Sequence, residues 1–257
     1  MKQTTLRAGL LALALSFPMN AWTALLKFQS SETQAALLEL YTSEGCSSCP
    51  PAEAWLSRLV DSPRLWKDFV PVAFHVDYWD YLGWRDPWGS ARFSDRQRAF
   101  AALWHSHDIY TPETVLNGTE WRDWSRQNDG PPSPGVNAGI LAVVSPDTNH
   151  WQATFIPASG RTADYELHVA LLVGGAGSEI KAGENRGRLL RHDFVALTLV
   201  DTPLAWSVDK AVCQFALPVP QTSAGTTLAI AAWLTLKGQL EPLQATGGWL
   251  LQPVSGH

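Results

Sequence analysis

Residues 35–60 read AALLELYTSEGCSSCPPAEAWLSRLV, and this stretch decides the fold. Ala35–Tyr41 is an apolar run of strand length, which reads as a buried strand. Thr42–Cys49 is a turn. Pro50–Val60 reads as a helix, because Ala54, Leu56, Leu59 and Val60 supply an apolar face and proline is tolerated in a first helical turn, where its missing N–H has no partner to lose. Val70–Asp77 (VPVAFHVD) alternates Val72, Phe74 and Val76 and reads as a second strand. Strand, helix and strand make a βαβ unit with parallel strands and a right-handed crossover. Its first turn holds Cys46-Ser47-Ser48-Cys49. Two cysteines at this spacing, between a strand and a helix, read as a thioredoxin-like redox motif.

Working outward, Ser94 and Gln97 form a capping box that predicts a helix from about Asp95 to Trp104. Asn117-Gly118 lies between two short runs, 113–116 and 119–124, and predicts a hairpin. Gln127–Asn137 (QNDGPPSPGVN) is rich in proline and glycine and reads as a linker. Beyond it come seven apolar or alternating runs, at 139–145, 151–157, 165–173, 189–200, 205–217, 226–236 and 243–251, separated by turn clusters. Short strands with Gly/Pro turns and no helix point to a β-sandwich. The expected fold class is therefore α/β plus all-β: a thioredoxin-like domain over 25–130 followed by a sandwich-like domain over 131–257.

The 257 residues carry 19 Lys+Arg against 24 Asp+Glu, a net charge of -5, with no basic run. That excludes a nucleic-acid footprint. A 46% hydrophobic content excludes a disordered chain, and 3 Cys exclude a disulfide-dense scaffold. Lys2 and Arg7 precede the apolar run Ala8–Met19, which is too short to span a bilayer and fits a secretory signal over residues 1–24. The expected location is periplasmic or secreted, with no membrane span after signal removal. Disulfides persist in such compartments.

Redox chemistry assigns Cys46 as the nucleophile, on an exposed position, and Cys49 as the resolving thiol. Pro50 and Pro51 put Cys46 ahead of the helix, which weakens the dipole's help to its thiolate, and Glu44 adds a like charge close in sequence. Thr111-Pro112 precedes a strand and is expected to be a cis bond facing the cysteines, where a peptide or thiol could add as a short strand. Because the two parallel strands end on one edge, Asp77, Tyr78, Trp79, Asp80 and Trp84 should rim the same site. Thr111, Pro112, Asp77, Tyr78, Trp79 and Asp80 form the expected substrate groove, and His75 or Asp77 a proton shuttle. His105-Ser106-His107-Asp108 could offer metal ligands, but histidines at a helix C-terminus have an ordinary dipole role. Cys213 reads as a small buried hydrophobe. No cofactor or resident metal is expected. The partners are thiols and disulfides of proteins or small molecules. Two alternatives stay open: a soft metal such as Cu(I) held by both thiolates, and an interaction module whose bridge is structural.

The segments CSSCPPAE, HVDYWDYLGWRDPW, YTPETVLNG and GENRG together resemble exported bacterial proteins classed as domain of unknown function 1223. The resemblance runs from about Ala35 to Leu250. It implies a thioredoxin-like fold carrying this cysteine pair, and no established substrate.

Overall fold

The computed structural model describes residues 26–147, 149–160, 162–220 and 225–251; the signal expected over 1–24 lies outside them. Among the described residues there are fifteen strands and two α-helices. In chain order these are β1 (Leu26–Gln29), β2 (Ala36–Thr42), α1 (Pro50–Arg58), β3 (Phe69–His75), α2 (Ala91–Leu103), β4 (Glu113–Leu116), β5 (Thr119–Glu120), β6 (Gly139–Ser145) and β7 (His150–Pro157). Then follow β8 (Tyr165–Gly174), β9 (Ala176–Glu179), β10 (Leu189–His192), β11 (Val195–Pro203), β12 (Ala205–Ser207), β13 (Lys210–Ala216), β14 (Thr227–Leu236) and β15 (Pro242–Leu251).

The local readings translate directly into elements. β2 and β3 are buried at every position and pair in parallel, with α1 as the crossover. At the hairpin, Asn117 and Gly118 both take positive φ, 47° and 81°, as the tight turn between β4 and β5 requires. α2 begins at Ala91, earlier than the capping box implied. Ser94 and Gln97 are spent on tertiary partners instead: Ser94 Oγ donates to Asp77 Oδ1, and Gln97 Nε2 donates to the Tyr110 carbonyl and to Glu113 Oε2.

The expected fold class is corrected. The chain is mostly β, and its largest unit is one mixed eight-stranded sheet in the order β15-β14-β8-β11-β3-β2-β4-β5. It is not a thioredoxin-like α/β domain followed by a sandwich. The reason lies at β3, whose second edge does not end the sheet. β11 pairs with it in parallel through Val195 and Ala73, and Ala73 N–H donates to the Phe194 carbonyl at 2.8 Å. A fully buried strand leaves no tolerated open edge, so strands from the far side of residues 127–137 continue the sheet. A second sheet of five strands, β1-β6-β7-β13-β12, draws β1 from before that segment.

Two large apolar cores result, with a smaller cluster of Val173, Ala176, Val195 and Leu228 beside them. One joins Leu141, Trp151 and Phe155 of the five-stranded sheet to Leu167, Leu171 and Ile230 of the larger one. The other gathers Leu37, Phe74, Leu172 and Trp233 of the larger sheet with Trp55 and Leu56 of α1 and Phe93 and Phe100 of α2. Tryptophans close the gaps. Trp121 and Trp124, on the chain after β5, sit 5.8 and 5.4 Å from the Trp55 ring, and Trp55 Nε1 donates to the Gln127 carbonyl. Within the second core, Arg96 makes a buried two-pronged bond to Glu39, at 2.6 and 2.9 Å, with its guanidinium over Phe74, Phe100 and Trp233.

Candidate functional site

The site forms where β2 gives way to α1. Cys46 and Cys49 are joined by a disulfide, with their Cα atoms 5.5 Å apart. Cys49 caps α1, and Pro50 opens it, so Cys46 stands ahead of the helix. The turn is closed by its own backbone: Cys46 N–H donates to the Ser43 carbonyl and Cys49 N–H to the Cys46 carbonyl. Gly45 is needed for close approach, since a Cβ there would come within 2.8 Å of Trp79 Cβ.

The hairpin β9–β10 contributes the clamp over this turn. Asn185, fully buried in its loop, donates from Nδ2 to the Glu44 carbonyl at 2.8 Å and to the Cys46 carbonyl at 2.9 Å. Glu184 accepts from the Ser47 N–H at 3.1 Å. From the other side, Asp86 accepts the Glu44 N–H at 2.8 Å. Two segments distant in sequence thus hold the cysteine turn by bonds that do not involve sulfur.

Around the sulfurs, Cys46 Sγ lies 3.7 Å from the Thr111 carbonyl oxygen and 3.3 Å from Ser48 Oγ. The Thr111–Pro112 bond is cis. Trp79 Nε1 donates to Thr111 Oγ1 at 2.8 Å. Of the expected groove residues, Thr111 and Trp79 are therefore drawn to the cysteine turn. Pro112 lines a cleft with Tyr110, Trp121, Arg122 and Trp124. Asp77, Tyr78 and Asp80 are engaged elsewhere: Asp77 accepts from Ser94, Tyr78 donates to Gln97 Oε1, and Asp80 accepts the Asp86 N–H. Burial pushes Tyr78 up to about 12 and raises Asp80. Exposure departs from expectation. Both cysteines are fully buried, and only Ser47 and Ser48 of the turn reach solvent.

Behind the turn lies a polar cluster of which sequence reasoning had singled out only His75, Glu44 and Trp84. His75 Nδ1 donates to Asp86 Oδ2 at 2.8 Å. His192 is held between two carboxylates, with Nδ1 2.6 Å from Glu53 Oε2 and Nε2 3.1 Å from Glu44 Oε1. Thr42 Oγ1 donates to the other Glu53 oxygen, and Trp84 Nε1 to the other Glu44 oxygen. Burial disfavours charge on His192, but the bonds and charges of Glu44 and Glu53 overcome it and hold the imidazole up at about 10. Burial likewise opposes charge on Glu53 and Asp86, yet His192 and His75 respectively keep each below the usual carboxylate range. Glu44, anticipated as a like charge beside Cys46, is thus turned toward His192 and Trp84. His105 and His107 are exposed; among the described residues the imidazoles and carboxylate that converge are His75, His192 and Glu53.

Two signals for this cluster were legible. Glu53 falls one turn after Cys49 on the buried side of α1, beside Ala52 and Leu56. His192 shares the inward face of β10 with Leu190.

The family model for a protein of unknown function (DUF1223) matches residues 37–235. The chain belongs to the DUF1223 family. Its cysteine turn, Asp86 and the Asn185 clamp all lie within the matched region of the family model. Two solved structures resemble this DUF1223 chain over most of its length. Protein AGR_C_4864 from Agrobacterium tumefaciens is 21% identical with a TM-score of 0.58, covering 88% of this chain and 100% of its own. HBP35 of Porphyromonas gingivalis is 13% identical with a TM-score of 0.59, covering 89% of this chain and 79% of its own. At these identities the likeness concerns fold alone. No curated protein matches the chain.

Proposed function

We propose that the chain is an exported thiol–disulfide exchange protein whose working bond is Cys46–Cys49. One observation carries the reading: the turn is held by hydrogen bonds that do not involve sulfur. Asn185, Glu184 and Asp86 hold it through backbone atoms, so the pair can open and close with the turn in place. As a staple the bridge is weak. Closing so small a ring, at a sequence separation of 3, stabilises the chain by only about 2 kcal/mol in the chain-entropy picture, less than longer loops give.

In the reduced chain the Cys46 thiolate attacks one sulfur of a substrate disulfide, and the other sulfur leaves as a thiolate. The Cys49 thiolate then attacks Cys46 Sγ, the mixed disulfide breaks, and the second substrate sulfur departs. Two electrons pass from the cysteine pair to the substrate, and the departing thiolates take up protons. The reverse sequence oxidises a dithiol. Ser48 Oγ is within reach to donate to the Cys46 thiolate. Because both cysteines are buried, exchange requires a local opening over Cys46. That burial favours a second reading, a bridge that stays closed.

Export is supported by the Ala8–Met19 run behind Lys2 and Arg7 and by a disulfide suited to an oxidising compartment. One experiment tests both parts. Cys49→Ser, expressed in a Gram-negative host and isolated from the periplasmic fraction, should accumulate Cys46-linked mixed disulfides. A chain retained in the cytoplasm counts against export. Periplasmic chain with Cys46 free and no adduct supports the permanently closed bridge.

A further inference from the structure

The cluster behind the cysteine turn has a charge and a geometry that the exchange reaction does not use. Glu44, Glu53 and Asp86 each accept hydrogen bonds on both carboxylate oxygens. Three buried carboxyl groups thus face two imidazoles, and among the described residues no Lys or Arg forms an ion pair with them. Acidic groups that outnumber their basic partners in a dry interior favour an accompanying cation.

The second observation is His75 itself. It is fully buried, and its Nε2 has no hydrogen-bond partner. Because Asp86 only accepts, Nδ1 carries the proton and Nε2 presents a bare lone pair. A ligand atom of His75 lies within 4.8 Å of one from Glu53 and one from His192.

We propose that His75, His192 and Glu53 form a binding site for a divalent transition-metal ion of the zinc type. His75 would ligate through Nε2, His192 through Nδ1, and Glu53 through Oε2. The ion takes the place of the proton now shared between His192 Nδ1 and Glu53 Oε2, and that proton is released to solvent. Two histidines and a glutamate are a common zinc donor set. Each ligand already has the outer partner that such sites use for orientation: Asp86 behind His75, Glu44 behind His192 and Thr42 behind Glu53. Ligand atoms about 2 Å from a tetrahedral ion are roughly 3.4 Å apart, so His75 closes by about an ångström on binding while His192 Nδ1 and Glu53 Oε2, now 2.6 Å apart, separate by a similar amount. The site is separate from the sulfurs, which remain bonded to each other, and it does not depend on the exchange reading.

The test uses the purified chain with its disulfide intact, so that no Cys46 or Cys49 thiolate competes for metal. Zn²⁺ is titrated calorimetrically. Co²⁺ is added in parallel and its visible d–d absorption recorded. The expected result is one saturable equivalent of Zn²⁺, with Co²⁺ bands of a four-coordinate nitrogen/oxygen site that Zn²⁺ abolishes. His75→Gln should weaken binding more than about 100-fold, and Asp86→Asn about 10–100-fold. His150→Gln, which alters an exposed histidine bonded to Asp147, should leave it unchanged. If His75→Gln does not fold, the wild-type cobalt spectrum decides alone. No saturable Zn²⁺ uptake by the oxidised wild type, octahedral cobalt bands only, or full affinity in folded His75→Gln would overturn the proposal.

Discussion

Replacing Asn185 by alanine strikes the part of the structure on which the account of the cysteine turn depends. The side chain is fully buried and makes three bonds: Nδ2 to the Glu44 and Cys46 carbonyls, and Oδ1 from Arg188 at 2.7 Å. Alanine leaves two buried carbonyls without that donor. Each unsatisfied buried group costs roughly 1–3 kcal/mol, and the exposed Ser47 and Ser48 beside them let some water in. The net loss is therefore about 2–4 kcal/mol. At this chain length each kcal/mol shifts the melting temperature by about 2–4 °C, which places the fall at roughly 4–16 °C. The assay is thermal unfolding of wild type and variant, each oxidised and reduced. In the wild type, reduction should cost only the ring-closure contribution of about 2 kcal/mol. In Asn185→Ala the turn has lost its clamp as well, so reduction should also speed amide exchange at Gly45–Cys49. A variant that melts within about 1 °C of wild type, in both redox states, would refute the claim that Asn185 holds the turn.

Two further predictions concern stability away from the sulfurs. Arg96→Met leaves the buried Glu39 carboxylate without its cation and should cost about 3–5 kcal/mol in urea unfolding, whereas Arg96→Met with Glu39→Leu should recover most of that loss. For Glu113, burial and the nearby Glu120 charge, partly offset by the bond from Gln97, push the carboxyl up to about 7. The folded chain then keeps a proton that the unfolded chain has lost between about pH 4.5 and 7. Stability should accordingly fall by about 1–3 kcal/mol as pH rises through that window. Glu113→Gln should remove this fall, matching wild type near pH 4 and exceeding it at pH 8 in a pH series of unfolding curves.

Much of the local structure was legible from the residues. The buried run before the cysteines, the proline-led helix and the Asn117-Gly118 turn are each governed by neighbours in sequence, and each formed. The continuous sheet was not legible. The Val195–Ala73 pairing joins strands more than a hundred residues apart, and nothing in either stretch specifies the other. The start of α2 was misread because Ser94 and Gln97 are drawn to Asp77, Tyr110 and Glu113, partners that local capping rules do not see. The candidate site divides in the same way. Two cysteines in one turn are visible as a pair, whereas His192 reaches Glu53 across 139 positions. Its only local trace is a histidine on the inward face of a short alternating strand. Exposure of Cys46 was also beyond sequence reading, because Ser47 and Ser48 occupy the outer face of the turn while both sulfurs turn inward.

The central claim is that Cys46–Cys49 is a working redox bond, and its reduction potential tests this most directly. The oxidised chain is equilibrated in graded glutathione and dithiothreitol buffers, quenched with an alkylating reagent and read by mass. Cys213 serves as an internal reference: it is buried in β13, and burial pushes its thiol up to about 11, so it stays unmodified while the chain remains folded. The account predicts a potential between about -270 and -120 mV, the range of disulfide-exchange proteins, with two alkyl groups added and the fold retained. A potential below about -300 mV, or reduction only as Cys213 becomes reactive and the chain unfolds, would contradict it and leave the bond a structural bridge.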